Sequence, residues 1–266
     1  MATRAEVMGW LILVSLPVLT LVAFASISEQ PVPPTPQPPW RETWKIFKRS
    51  EALRRLLLAD LLTGIQGGVN GAVHFFFVIH VLLLPKSASL FLVVIFVMAI
   101  FCVPLFLKLS YRFSKHRALC IGAIQSALTC TCFLILPAGS FWLALILYTL
   151  IGVNVGASSF LMRSMMADIV DEDRAETGAE RSALFYSILT LTPKLGAAIA
   201  VGLVFTMLDW VGFTPTGTNS AETLEGVRLI VALTPTVVAI CVALVLWHYP
   251  LDRVAQESIR AKLLAV

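Results

Sequence analysis

The chain has 266 residues, 58% hydrophobic and 14% charged, with a mean hydropathy of +0.86 and a formal net charge of +4. Soluble domains carry roughly a quarter charged residues, so this composition excludes a water-soluble globular protein. The small basic excess follows membrane topology and gives no reason to invoke a nucleic-acid partner.

Apolar runs close to the ~20 residues that cross a bilayer recur at about 7–28, 52–80, 87–109, 117–137, 140–167, 182–208 and 227–248. Backbone polar groups in lipid must be paired internally, so each run predicts a helix. Barrel strands would alternate apolar and polar residues, and no such alternation is present. The expected fold is an all-α polytopic membrane protein with about seven transmembrane helices.

The first helix is expected over 1–28. Arg4, its apolar core and the small residues Ala23 and Ala25 also fit a secretory signal peptide. A retained helix, however, accounts for the basic segment after it with one assumption. That segment, 29–50, reads "EQPVPPTPQPPWRETWKIFKRS". Its prolines favour an extended spacer, and Trp40, Trp44 and Phe47 opposite Arg41, Lys45 and Lys48 suit a short interfacial helix. A six-helix bundle then fills 51–250, with a tail over 251–266. Lys and Arg concentrate in the linker, in 108–117, around 163–181 and in the tail. The N-terminus is therefore expected outside and the C-terminus in the cytoplasm.

Within the second apolar run, Asp60, Thr63, Gln66, Gly67, Asn70, Gly71 and His74 fall largely on one face. Gln66 and Asn70 lining a cavity is one reading. Close packing through Gly64 with Gly68, and Gly67 with Gly71, is another. Asp60 is expected to pair with nearby Arg54 or Arg55, and His74 alone points to no site. After the third run, "KLSYRFSKHR" (108–117) forms a basic turn. Of the five cysteines, Cys130 and Cys132 stand two apart on different helix faces, a poor metal pair; no metal site is expected. In the fifth run, Asn154 and Ser158 share a face beside Gly152 and Gly156, where packing is the default reading and solute contact the alternative. Arg163 near the run's end is accounted for by snorkelling.

Lys194 is harder to absorb. Twelve residues past Ser182 it lies about 18 Å into the membrane, near the middle of a core about 30 Å thick. Inserting a lysine there costs at least about 2.5 kcal/mol, which points to a functional charge. Pro193 beside it invites a kink, and Thr190 lies one turn earlier on the same face.

Before that helix stands "MMADIVDEDRAETGAERS" (165–182). Its acids lack the Gly and Glu spacing of a calcium loop. Thr177 and Glu180 predict a capping box at the start of the next helix. Asp168 and Asp171 face the basic turn, where pairing with Arg112 or Lys115 would make a latch. No nucleophile–base pair suggests an enzyme.

"MMADIVDED", then "TGAERSALFYSILTLTPKLGAAIAV", "DWVGF" and the tail "HYPLDRVAQESIRAKL" together resemble the glycoside–pentoside–hexuronide:cation symporters, the melibiose-permease-like branch of the major facilitator superfamily. The resemblance covers about 50–262. It implies that this chain is the C-terminal half of a twelve-helix transporter plus the preceding sixth helix. It also implies a place in the inner (plasma) membrane of a bacterium, and a missing N-terminal six-helix half as partner. Lys194 and Thr190 then face solute and coupling cation (Na+ or H+), with no cofactor, and Asp168, Asp171, Arg112 and Lys115 form a cytoplasmic gate. Asn154, Ser158, Gln66 and Asn70 complete the expected solute-facing set. Ser159 stands where melibiose-type members place a sugar-stacking aromatic, so a non-sugar solute such as a lysolipid is an alternative. A non-transporting membrane protein that binds or regulates a partner is the other.

Overall fold

The computed structural model describes residues 4–26, 46–251, 256 and 258. Trp40, Trp44 and the proline run lie outside the described residues, as does most of the tail. Contacts divide the chain into two units, residues 1–38 and 39–266. The first contains α1, Arg4–Ser26, a continuous helix around Pro17 with apolar side chains on every face.

The second unit is a bundle of α2 (Glu51–Phe76), α3 (Ala88–Phe101), α4 (Val103–Phe113), α5 (Lys115–Cys132), α6 (Phe141–Thr177), α7 (Ser182–Trp210) and α8 (Ala221–Trp247). A short helical stretch over 46–49 precedes α2. The third apolar run is not one straight span: α3 and α4 meet at a 44° bend after Cys102. Pro104 explains the break, because it has no N–H to continue the α3 ladder and is well placed in the first turn of a new helix. Counting that bent pair as one span, seven segments among the described residues are long and apolar enough to cross a membrane.

Two boundaries differ from expectation for local reasons. α6 runs about ten residues past its apolar run, through the whole acidic stretch, and stops where Gly178 turns left-handed at φ +68°. Thr177 is therefore the last residue of α6, and the predicted capping box does not form. Its hydroxyl donates to the Asp173 carbonyl and accepts from the Ala179 N–H, while Glu180 accepts from the Ser182 hydroxyl. α8 starts six residues earlier than its apolar run because Ser220 caps it, accepting from the Thr223 N–H at 3.1 Å.

Helix packing follows an internal two-fold pattern. α2 packs most extensively on α7 and next on α8; α6 packs most extensively on α3 and next on α5; α5 and α8 pack on each other. Exchanging the first three spans for the last three maps this set onto itself, as an inverted repeat requires. Glycine pairs spaced by four residues sit at the equivalent contacts. On α2, Gly64 and Gly68 meet Pro193, Ala197 and Ala200 of α7; on α6, Gly152 and Gly156 meet Ile95 and Ala99 of α3. Close backbone approach through small residues is how helices adhere where lipid removes the hydrophobic drive. Gly67 and Gly71, the other pair in the sequence, face open space and pack nothing.

Two apolar cores result. One, around Leu56, Leu119, Met166, Phe185 and Leu246, lies at the basic end. The other, around Phe77, Phe91, Phe133, Tyr148 and Val227, lies at the opposite end. There Arg228 donates to the carbonyls of Phe133, Leu134 and Leu136 (3.3, 3.3 and 2.5 Å) and pairs with Glu225, closing the free end of α5.

A Cβ on Gly64 would lie 2.4 Å from the Pro193 carbonyl oxygen, and one on Gly156 would lie 2.1 Å from that of Ala99. Backbone cannot move aside as a side chain can. Gly64→Ala and Gly156→Ala should each lower stability by about 1–3 kcal/mol, read as a lower thermal midpoint in detergent. Gly67→Ala and Gly71→Ala, in open space, should hold or raise it.

Candidate functional site

Between the two cores lies a cavity of about 370 Å³. α2 contributes Asp60, Thr63, Gln66 and Asn70; α5 contributes Ser126; α6 contributes Asn154, Ser158, Ser159 and Arg163; α7 contributes Thr190 and Lys194. All six residues singled out as solute-facing from the sequence, Gln66, Asn70, Asn154, Ser158, Thr190 and Lys194, line this one space. A larger concavity of about 440 Å³ lies at the basic end, between the 46–52 segment and the α6–α7 turn. Its charges are mostly committed to one another, Arg49 with Glu176 at 3.0 Å and Arg181 with Asp173 at 3.6 Å. The central cavity, whose charges are not, is the better candidate.

The lining groups divide by what they already do. Gln66 is structural as well as lining: its amide donates to the Ser126 hydroxyl at 2.9 Å and the Pro235 carbonyl at 3.5 Å, tying α2 to α5 and α8. Asn154 reaches toward α5, where its Oδ1 occupies the space a Gly122 side chain would need. Ser158 and Thr190 donate to carbonyls of their own helices, Asn154 and Val155 for the first and Tyr186 for the second, leaving only acceptor lone pairs for the cavity. Among the described residues, Asn70 and Lys194 make no hydrogen bond or ion pair, and both line the cavity. Lys194 is held in place by the Pro193–Gly64 backbone contact beside it, and α7 remains helical through the proline.

One lining residue corrects the sequence reading and a second extends it. Asp60 does not pair with Arg54 or Arg55. Arg54 donates to the carbonyls of Phe47 and Lys48, and Arg55 pairs with Glu51 and reaches the Val245 carbonyl, because both arginines point to the helix start. Arg163 also lines the cavity, a placement that the snorkelling reading did not include. The available signal was a single acid and a single arginine inside apolar runs, each with a simpler reading close by in sequence.

One face of the cavity is open. Ser159, Arg163, Thr190 and Lys194 are all exposed on this bundle, whereas Asp60, Gln66 and Ser158 are buried.

At the basic end, Lys115 and Asp168 form an ion pair. The ammonium lies 2.6 and 2.8 Å from the two carboxylate oxygens, also donates to the Ser164 carbonyl, and Gln256 donates to the same carboxylate. Asp168 is buried. Ser114, at φ +106°, swings the chain between α4 and α5 and sets Lys115 inward. Arg112, on the far side of that turn, lies over the Phe113 ring, and among the described residues neither it nor Asp171 forms an ion pair. The four residues expected to form a latch thus supply one bond between α5 and α6. Beside it, burial raises the Tyr249 phenol above its ordinary value, and the Asp168 and Glu172 carboxylates add to the effect, so it remains protonated.

Removing one partner of a half-buried pair exposes the other to desolvation. Asp168→Asn should destabilise the bundle by about 1–3 kcal/mol, discounted for the partial exposure of Lys115. A thermal double-mutant cycle with Lys115→Met should show coupling, whereas Asp171→Asn should be nearly neutral.

Residues 4–253 match the family model of the MFS/sugar transport proteins. The chain is 26% identical to the glucuronide carrier protein homolog of Escherichia coli (strain K12), over 88% of its own length and 51% of the carrier. It is 27% identical to the sodium-dependent lysophosphatidylcholine symporter 1-B of Danio rerio, over 64% of the chain and 33% of that protein. It is 23% identical to the raffinose carrier protein of Pediococcus pentosaceus, over 70% and 29%. The chain thus spans about half, or less, of each of these relatives. The match takes in α1, which the motif resemblance over 50–262 did not reach. The chain belongs to the MFS/sugar transport protein family, in the melibiose-permease-like branch of the major facilitator superfamily.

Proposed function

We propose that the chain forms the C-terminal half of a cation-coupled symporter that carries a small solute bearing an anionic group. The observation that carries this is the open polar face of the cavity. Lys194, Arg163, Thr190 and Ser159 lie at the level between the two cores and are exposed on this bundle. Left against hydrocarbon, such groups cost several kcal/mol. A second bundle laid over the face would remove that cost and enclose the solute between two halves, the arrangement that alternating access needs. Two cations, Lys194 and Arg163, against one carboxylate, Asp60, favour an anionic group on the solute. Lys115–Asp168 then acts at the cytoplasmic end as a closing contact, with the N-terminus outside and the C-terminus inside the inner membrane of a bacterium.

A second reading of the solute has its own support. No aromatic ring is found among the described lining residues, so the platform on which sugar rings stack is missing from this half. That favours a lipid-like solute with an anionic phosphate over a neutral glycoside, and relatives include lysophosphatidylcholine symporters.

Membrane vesicles from the source cells, which supply any partner half, provide the test. Ion-driven uptake of a labelled hexuronide, a neutral glycoside and a lysophospholipid should favour an anionic or lysolipid member. Lys194→Ala should reduce it at least tenfold, a loss of about 1.4 kcal/mol or more of coupling or binding, with unchanged amounts of chain in the membrane. Undiminished uptake would remove Lys194 from the mechanism.

A further inference from the structure

Asp60 is the carboxylate on the described lining of the central cavity. It is 7% exposed, it lines the central cavity, and its Oδ2 is buried and accepts no hydrogen bond. Three of the neutral donors on the lining are committed elsewhere. The Thr63 hydroxyl donates to the Ala59 carbonyl, the Gln66 amide to Ser126 and Pro235, and the Ser158 hydroxyl to its own helix. Of the charged groups on α6 and α7, Arg163 and Lys194 line the same cavity. The others stand nearer the helix ends, Asp168, Asp171, Glu172, Asp173, Arg174 and Glu176 in the last turns of α6 and Asp209 in the last turn of α7. α5 and α8 keep their charges at their ends: Lys115, His116 and Arg117 on the one, Glu222, Glu225 and Arg228 on the other. On α2 itself, Glu51 and Arg55 pair with each other, Arg54 is held by the carbonyls of Phe47 and Lys48, and His74 binds the Ala88 carbonyl. Lys48 and Arg49 lie before the helix start. Asp60 forms no ion pair with any of them.

We propose that Asp60 is a proton-binding site of the central cavity. An isolated, buried carboxylate is poorly stabilised as an anion, and the smallest species that relieves this is a proton. One O–H bond forms on the carboxylate, one O–H bond of a hydronium in the cavity breaks, and no electrons are exchanged with any other group. A metal ion fits less well because it needs several converging oxygens. The other buried, unpaired oxygen on the lining, Asn154 Oδ1, is directed at Gly122 of α5.

The same geometry links the proton to the solute. Arg163 in the cavity favours the ionised carboxylate. An anionic group seated against Arg163 and Lys194 offsets that field, so Asp60 holds its proton more tightly when the solute is present. By reciprocity, the bound proton tightens the solute. This coupling rests on the transport reading above; the proton site itself does not.

Infrared spectra of the purified chain in lipid nanodiscs, recorded across a pH series, test the site directly. A protonated-carboxyl band that fades as pH rises is expected. Asp60→Asn should abolish it with unchanged helical circular dichroism, and Asp60→Glu, a second variant in case the first fails to fold, should keep a titrating band at altered frequency. Arg163→Gln should move the titration midpoint up by about 1 pH unit, since a favourable charge on the ionised form is lost. A spectrum unaffected by Asp60→Asn would overturn the proposal, as would replacement of the band by sodium at fixed pH. The band is read without transport, so its failure is separate from any failure of the uptake assay.

Discussion

The carbonyl of Pro193 lies so close to Gly64 that no side chain fits between them, and the polar centre of the bundle depends on that contact. In lipid, helices gain little from burying apolar side chains, so adhesion comes from close packing. The glycines of α2 let α7 approach at the level where Lys194 projects, and the charge thereby meets the polar face of α2 across the cavity. The equivalent approach of α6 to α3 through Gly152 and Gly156 brings Asn154, Ser158 and Arg163 to the same space. One packing device, used twice, places residues from three helices around one cavity.

Apolar cores at both ends hold this polar layer. The ends themselves are closed differently. Opposite the basic end, Arg228 satisfies the last carbonyls of the α5 segment from α8, joining a helix of the first three spans to one of the last three. At the basic end, Lys115 of α5 holds Asp168 of α6, again across the two sets of spans. The first is a hydrogen-bonded clamp with many partners. The second is a part-buried ion pair, joined by the Ser164 carbonyl on the lysine and Gln256 on the carboxylate.

Much of this was legible in the sequence because the signals are local or compositional. Run length and hydropathy gave the spans, and a lysine deep in an apolar run identified Lys194 without any neighbour. Depth along a helix can be counted, whereas partners across the bundle cannot. That is why Asp60 was read with Arg54 and Arg55, near it in sequence, when it faces the same cavity as Arg163, about a hundred residues on. The 44° bend after α3 is invisible to hydropathy, which is blind to the N–H that Pro104 lacks. Thr177 shows the same limit: three-residue spacing to Glu180 suggested a cap, but Gly178 lets α6 run on to the threonine. Of the two glycine pairs on α2, only the three-dimensional neighbours distinguish the one that packs from the one that faces open space.

An enclosed central cavity requires the exposed polar face of α7 to look away from lipid. A nitroxide at Thr190→Cys, with Leu203→Cys on the same helix as a lipid-facing reference, can be compared in native membranes. Collisions with a water-soluble relaxation agent should exceed those at 203, and collisions with membrane-dissolved oxygen should be fewer. Equal oxygen accessibility at the two positions would place Thr190 in lipid and contradict an enclosed central cavity.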